Sequence, residues 1–347
     1  MNSIFDHLIF VLLLIIAATL VTGLMLKAGI TALPNHRSSH DKPTPSGGGL
    51  GAVVVITMGI TWYYLWAGAD EAISFDIFWL LGGGLIVAIA GFADDIGKLP
   101  DFKTKLFLQI CAVMFLFGGD LVIGQLTLPF IGIINLGWWG YPITLIWVVG
   151  LTNAFNFMDG LDGMAGCTAI VSAFFCAIIA FNEGATQIFV MSYIIMASVI
   201  GFLPFNLPRA RLFMGDVGSQ FLGFLFAGLS VFTLAAHEPK VVFWIIPMLF
   251  LHFIFDTTYT VIRRLCAAEK VTEAHRSHLY QLLNRMGWSH VQVSSLYAFL
   301  CMLQGLTAIL LIGTSAWSKL LTVLFFFIFY TMFMLLISRA ARDRRLI

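Results

Sequence analysis

The stretch Asn153-Ala-Phe-Asn156-Phe-Met-Asp159-Gly-Leu-Asp162-Gly-Met-Ala-Gly166 places two amides and two carboxylates directly after a long uncharged apolar run. Asn153, Asn156 and Asp159 are three residues apart, so at helical pitch they lie on one side of a helix. Polar groups that converge at a membrane boundary are costly unless something binds them. The stretch therefore predicts a helix end that carries a binding or catalytic site, the alternative being a polar helix end that only contacts water.

The composition places this stretch in a membrane protein. Hydrophobic residues make up 60% of the 347 residues and charged residues only 11%, which is far from the composition of a soluble domain. Repeated apolar runs of near-spanning length predict an all-α, polytopic membrane protein that forms one integral-membrane domain over residues 1–347. We predict about eleven transmembrane helices, at about 8–26, 52–66, 77–93, 105–118, 141–155, 165–181, 186–203, 219–235, 241–265, 293–312 and 320–338.

The charge pattern predicts the orientation. The first run is followed by Lys27 and has no cleavage-site pattern, so it is interpreted as an uncleaved helix with its N-terminus outside. The apolar segment 121–136 is broken by glycine and proline, and we expect an extended or re-entrant segment on the outer side. The C-terminus is then cytoplasmic, and of the 19 Lys and Arg residues only Lys240 and Lys319 fall outside. The predicted cytoplasmic loops are about 27–51, 94–105, 156–164, 204–217, 265–291 and 339–347.

Polar clusters that are far apart in sequence share the cytoplasmic face on this map. They are Asp94-Asp95, the Asn153–Asp162 stretch, Asp216 and the pair His275/His278. Adjacent Asp94 and Asp95 differ by about 100° around a helix, so the two carboxylates are expected to have different roles. The site is therefore expected on the cytoplasmic face of the membrane.

The residue types favour phosphoryl transfer. Carboxylate and amide oxygens without thiolates suit Mg²⁺ or Mn²⁺ rather than zinc. Lysines and arginines on the same face suit phosphates, and a divalent ion with such cations is typical of phosphoryl transfer.

The sequence His275-Arg276-Ser277-His278 could supply donors to a pyrophosphate, or form a solvated loop in an amphipathic interfacial segment. Gly47–Gly51 could form an anion-binding nest or serve packing, and Asp256 could pair with Arg263 or Arg264 or face the site from below.

At these residues the chain resembles the polyprenyl-phosphate N-acetylhexosamine-1-phosphate transferases, which include the phospho-N-acetylmuramoyl-pentapeptide transferase of peptidoglycan synthesis. The resemblance extends from about residue 37 to residue 281. Its matching pieces are Asp94-Asp95 with Lys98 and Lys105, Asn153-x-x-Asn156-x-x-Asp159-Gly-x-Asp162-Gly, Phe213-Met214-Gly215-Asp216-x-Gly218-Ser219, and the segment from His275 to His278.

The resemblance implies transfer of a sugar-1-phosphate from a UDP-N-acetylhexosamine to undecaprenyl phosphate, in a bacterial inner membrane and with no nucleic-acid partner. It implies Mg²⁺, for which Mn²⁺ can substitute, held by Asp216 with help from Asn156. The expected catalytic residues are Asp94, Asp95, Asp159 and Asp216; the expected substrate-binding residues are Lys98, Lys105, Asn153, Asn156, Asp162, His275, Arg276 and His278. Oligomeric state is not specified by the sequence, a homodimer being one option.

Two departures narrow the branch of the family. The peptidoglycan enzyme has three consecutive histidines where this chain has His275-Arg276-Ser277-His278, which argues against a muramoyl-pentapeptide substrate. The present form, with Arg37-Ser38-Ser39-His40, is similar to the branch that initiates O-antigen or related surface glycans. Ser46 stands where that branch has an arginine, so the resemblance gives no support for anion binding at Gly47–Gly51.

Two other functions are compatible with parts of the pattern. CDP-alcohol phosphotransferases share Asp-x-x-Asp-Gly, but the glycine and the two aspartates that continue their motif are replaced here by Cys176, Ala180 and Gly184. A membrane transporter with an ion site at the cytoplasmic face is the alternative from a different class. Its polar groups should reach the mid-membrane, whereas here only His252 and Asp256 lie well inside a predicted span.

Overall fold

A computed structural model describes residues 4–29, 31–32, 44–67, 76–99, 101–128, 130–235, 241–270, 273 and 275–347. The Arg37–His40 segment of the sequence resemblance and Lys240 lie outside these residues. The described chain is nearly all helical, as its composition predicts. Its α-helices are α1 Ile4–Ala28, α2 Gly49–Trp62, α3 Asp76–Asp95, α4 Phe102–Phe117, α5 Gly140–Phe157, α6 Met164–Asn182, α7 Thr186–Asn206, α8 Gly215–Ala235, α9 Val241–Leu249, α10 Leu251–Cys266, α11 Leu279–Arg285, α12 His290–Leu310 and α13 Ala316–Asp343.

Seven of the described helices are long and apolar enough to cross a membrane: α1, α3, α6, α7, α8, α12 and α13. This confirms a multi-pass helical membrane protein. The predicted total of about eleven spans and the predicted orientation go beyond this finding and stay predictions. Helix α4 begins earlier than the pattern predicts, because the Asp101 side chain accepts a hydrogen bond from the Thr104 N–H and caps its first turn.

The ninth predicted span is not one continuous helix. The chain from 241 to 266 forms two helices, α9 and α10, which are interrupted at Phe250. Pro247 lies in the last turn of α9, where it has no N–H to donate and its ring crowds the carbonyl of the preceding turn. The prediction of a single helix over 241–265 is therefore wrong. The short helix α11 also lies within the predicted loop 265–291, which the sequence did not specify.

The ambiguous segment 121–136 is extended, as predicted. Strand β3 (Gln125–Leu128) pairs antiparallel with β4 (Gly132–Asn135), with Thr127 opposite Ile133. A second short hairpin pairs Thr31–Ala32 with Thr44–Pro45, so the described fold is helical with two small hairpins rather than strictly all-α.

Helix α8 forms the centre of the described structure, and 94% of the residues in its most apolar segment are buried. Its Phe221 and Phe224 rings pack against α3 at Gly84 and Gly83, where the absence of side chains leaves room for them. Further along α3, a Cβ on Gly91 would overlap the Asp216 carbonyl. This close approach brings the end of α3 against the start of α8, which is where the site lies.

The Gly47–Gly51 run serves packing. The Gly48 and Gly49 N–H groups donate to the carbonyls of Phe213 and Met214, each at 2.8 Å. A Cβ on Gly49 would overlap the backbone of Gly218. The run therefore holds the loop that leads into α8, as the packing alternative expected.

Candidate functional site

The centre of the site is Lys105, in the first turns of α4. Its ammonium lies 3.0 Å from Asp94 Oδ2 at the end of α3, and it also contacts Asp216 Oδ2 at the start of α8. The Lys105 side chain is 12% exposed, against 38% for Asp94 and 26% for Asp216. A nearly buried cation therefore joins two carboxylates that remain accessible from outside the protein.

Asp216 is held by amides as well as by the lysine. Asn156 Nδ2, at the end of α5, donates to Asp216 Oδ1 and to Ser219 Oγ, both at 2.9 Å. Gln220 Nε2 donates to Asp216 Oδ2 at 3.1 Å. These hydrogen bonds fix the carboxylate in place and favour its ionised form.

Two glutamines that the sequence pattern did not single out extend this network. Buried Gln109 donates to Gln220 Oε1 at 2.9 Å and accepts from Asn153 Nδ2 at 2.7 Å. Asn153, predicted to bind substrate, thus belongs to a chain of amides behind Asp216. Gln109 and Gln220 each follow a site residue by four positions on the same helix, and this spacing was the available signal.

Asp95 has a different position from Asp94, as the helical pitch predicts. Its Oδ1 accepts the Asp216 N–H at 2.9 Å and its Oδ2 accepts the Val217 N–H at 3.1 Å. A carboxylate on these amides stabilises the start of α8, where the helix leaves N–H groups without intrahelical partners. Asp95, predicted to be catalytic, therefore holds Asp216 in position through the backbone.

Asp159 and Asp162 follow α5 in the loop before α6. Partial burial of the Asp159 carboxyl raises its pKa well above the usual value, with further contributions from the negative charges of Asp216, Asp95 and Asp162. Asp162 is buried and contacts the Ala210 N–H at 3.2 Å and the His290 ring at 3.3 Å. It ties the loop after α5 to the loop before α8 and to the start of α12, whereas Asp159 adds a carboxyl close to Asp216.

The His275–His278 segment lies against the end of α5 at Phe157. The His278 ring lies 5.9 Å from the Phe157 ring and 5.0 Å from the His275 ring. The Tyr280 hydroxyl donates to the Phe157 carbonyl at 2.9 Å. At the end of α5, Asn156 contacts Asp216 and Phe157 contacts the His275–His278 segment. The structure therefore places both sets of predicted residues around the end of this helix.

Lys98 and Arg276 are less closely tied to the site. Lys98 is exposed in the loop after α3, and its predicted contact with substrate stays a prediction. Arg276 is partly buried, and its carbonyl accepts a hydrogen bond from Arg285.

The donor set suits a hard cation, although among the described residues no group of three or more His, Cys, Asp or Glu side chains is arranged to hold a metal ion. Asp216, Asp94 and the Asn156 amide offer oxygen ligands of the kind that Mg²⁺ prefers. The Lys105 ammonium lies between the two carboxylates. The residue types therefore fit the ion, provided that Lys105 shifts towards an incoming phosphate.

Comparison with known proteins gives consistent matches. Residues 77–234 match the family described as Glycosyl transferase family 4. A Bacillus subtilis protein named as a probable undecaprenyl-phosphate N-acetylglucosaminyl 1-phosphate transferase is 31% identical over 322 residues, covering 92% of this chain and 87% of the relative. A phospho-N-acetylmuramoyl-pentapeptide-transferase of Lacticaseibacillus paracasei is 28% identical, covering 74% of this chain and 81% of the relative. The corresponding Acetivibrio thermocellus transferase is 34% identical over 62% of this chain and 70% of the relative.

Proposed function

Because the chain belongs to glycosyl transferase family 4, the polyprenyl-phosphate N-acetylhexosamine-1-phosphate transferases, we propose that it transfers an N-acetylhexosamine-1-phosphate from a UDP-sugar to undecaprenyl phosphate. An oxygen of the lipid phosphate forms a bond to the sugar-bearing phosphorus of the UDP-sugar. The bond from that phosphorus to UMP breaks, and UMP leaves with the electron pair. The product is an undecaprenyl-diphospho-sugar.

The observation that carries the proposal is the position of Lys105 between Asp94 and Asp216. Two anionic phosphates must approach each other, so the site needs positive charge that is already oriented. Lys105 is held by both carboxylates and is nearly buried, so its charge is already at the site before a phosphate binds, and the ammonium shifts from the carboxylates towards that phosphate. The amides of Asn156 and Gln220 keep the Asp216 carboxylate fixed while this happens.

Asp94 suits the role of base. A phosphate monoester has a second pKa of about 6, so the acceptor is already largely ionised at neutral pH and needs little basic help. Asp94 is the more exposed of the two carboxylates on Lys105 and can take the residual proton.

Asp216 and Asn156 would hold Mg²⁺ or Mn²⁺, which when bound would neutralise phosphate charge. We therefore propose a single displacement without a covalent aspartyl-phosphate.

The sugar is proposed to be N-acetylglucosamine or a 6-deoxy N-acetylhexosamine such as N-acetylfucosamine or N-acetylquinovosamine. The Bacillus subtilis relative, named as a probable N-acetylglucosaminyl 1-phosphate transferase, supports the first. The His275-Arg276-Ser277-His278 form supports a role in starting O-antigen or a related surface polysaccharide at the bacterial inner membrane.

The test is to offer the purified enzyme a panel of UDP-sugars with undecaprenyl phosphate and to measure UMP release. Release with at least one UDP-N-acetylhexosamine, dependent on the lipid, is expected. UMP release from no member of the panel would contradict the function. Exchange of labelled UMP into the UDP-sugar without lipid would indicate a two-step reaction and contradict the single displacement.

A further inference from the structure

Asp256 on α10 is a buried carboxylate whose bonding is concentrated at the start of α11. It is 1% exposed. Its Oδ1 accepts the Leu279 N–H at 2.9 Å and lies 3.2 Å from His278 Nδ1. Its Oδ2 accepts the Tyr280 N–H at 3.2 Å and the Tyr297 hydroxyl at 2.7 Å. A carboxylate this deeply buried is stable only with such partners, so its placement depends on α11 and the placement of α11 depends on it.

The segment before α11 is held by several hydrogen bonds, of which those to Asp256 reach both the His278 ring and the first N–H groups of the helix. His278 has φ −63° and ψ 153°, so it is extended and does not continue a helix. Helix α11 has only seven residues, too few to be stable without packing. The Asp256 carboxylate supplies the acceptor for its first N–H groups and fixes the His278 ring beside Phe157 at the end of α5.

The alternative pairing of Asp256 with the arginines of α10 is not what the structure shows. Arg264 Nε lies 3.0 Å from Glu269 Oε2. Arg263 Nη2 donates to the Ser277 carbonyl at 2.9 Å. Asp256 and Arg263 therefore act on the same segment from α10, one through His278 and the other through Ser277.

We infer that Asp256 is a positioning residue for the nucleotide-sugar end of the site, acting through His278. A carboxylate that accepts the Nδ1 proton of a histidine fixes the ring orientation, and in the imidazolium form of that ring the Nε2–H is free to donate to another partner. In the proposed function, on which this inference rests, that partner is a phosphate oxygen of the UDP-sugar. Asp256 itself is too deeply buried to touch the substrate.

The test compares Asp256→Asn and Asp256→Glu with a matched control, His252→Gln. His252 is buried one turn earlier on α10, and its ring bonds Gln304 on α12 rather than α11. Each purified variant is assayed for KM and kcat with UDP-N-acetylglucosamine and for thermal stability. In parallel, Ser277→Cys and Cys266→Ser are introduced together into the wild type and into each variant. The introduced thiol is then labelled with a polar maleimide, with and without UDP.

Asp256→Asn is expected to raise the KM for UDP-N-acetylglucosamine by about tenfold. The UDP concentration that half-protects the introduced thiol from labelling should rise by the same factor. The reason is that loss of a charge-assisted hydrogen bond weakens binding by about tenfold or more. Asp256→Glu should fall between this variant and the wild type. The His252→Gln control is expected to lose stability without either shift. If Asp256→Asn and His252→Gln lose equal stability and both keep the wild-type KM and UDP protection, Asp256 has only a structural role and the inference is wrong.

Tyr297→Phe covers the case in which Asp256→Asn does not fold, because it removes one hydrogen bond to Asp256 and no charge. It should shift the same two quantities by a smaller factor in the same direction; wild-type values would overturn the inference. The labelling separates the inference from the proposed function. If UDP protects the introduced thiol in the otherwise wild-type protein but the enzyme transfers no sugar-1-phosphate, the proposed function is contradicted. The role of Asp256 is then still tested, because the change in UDP protection in Asp256→Asn is measured without the reaction.

Discussion

The Lys105 ammonium lies 3.0 Å from the Asp94 carboxylate, and it joins the end of α3 to the start of α4 at the mouth of the site. The same ammonium contacts Asp216 on α8, so three helices share one cation. We propose that the Lys105 ammonium binds a phosphate of the substrate.

Replacement of Lys105 by Ala should lower kcat/KM by roughly 10²-fold or more, the scale of losing a pre-oriented electrostatic group. Lys105→Arg should retain more activity, because it keeps the charge. The measurement is UMP release by the purified enzymes. Lys103→Ala, which removes an exposed lysine two residues earlier, is the matched control and should stay near the wild-type rate. Equal activity in Lys105→Ala and Lys103→Ala would contradict the assignment.

Asp216→Asn should lower the rate by roughly 10²-fold or more, because the neutral amide offers less charge to a bound cation and to Lys105. We also expect the wild-type activity to disappear in a chelator and to return with Mg²⁺ or Mn²⁺. The rate is measured across a series of metal concentrations. Activity that persists in chelator, or a near-normal Asp216→Asn enzyme, would contradict the metal site.

Arg276→Ala and His278→Ala should each raise the KM for the UDP-sugar, because both remove charge-assisted or polar donors from the segment beside Phe157. The KM for undecaprenyl phosphate should change less. Steady-state kinetics with each substrate varied in turn gives both values. If both variants keep wild-type kinetics, the segment is a surface feature and not part of the nucleotide-sugar site.

The orientation can be tested by thiol labelling. Cys266 is exposed at the end of α10 and should react only when an impermeant reagent reaches the cytoplasmic side. A cysteine in place of the exposed Ile131, in the turn between β3 and β4, should react from outside. Reversed labelling would place every site residue on the opposite face of the membrane.

Much of the site could be predicted from the sequence, because its charged residues stand out in apolar surroundings. Asp94, Lys105, Asn156 and Asp216 are brought together as expected. Periodicity could not specify the partner of each carboxylate, since those partners come from other helices. Asp95 meets backbone amides of α8, and Asp162 meets Ala210 and His290.

The missed features have the same physical origin. Gln109 and Gln220 are neutral, so they attract little notice in an apolar helix, yet each completes a hydrogen bond that a buried amide requires. Pro247 is the sequence signal for the interruption at Phe250, but the uncharged apolar run of spanning length favours one continuous helix. Asp256 stands out in its apolar helix, but most of its partners lie beyond the next loop, at the start of α11 and on α12.

The most direct test of the central claim follows the phosphorus. The purified enzyme is given undecaprenyl phosphate and UDP-N-acetylglucosamine labelled in the phosphate that bears the sugar, or whichever labelled UDP-sugar the panel identifies. The account predicts that the label moves to the lipid product and that unlabelled UMP is released in equal amount. Release of labelled UDP, with an unlabelled lipid-linked sugar, would show that the sugar moves without its phosphate and would contradict the account.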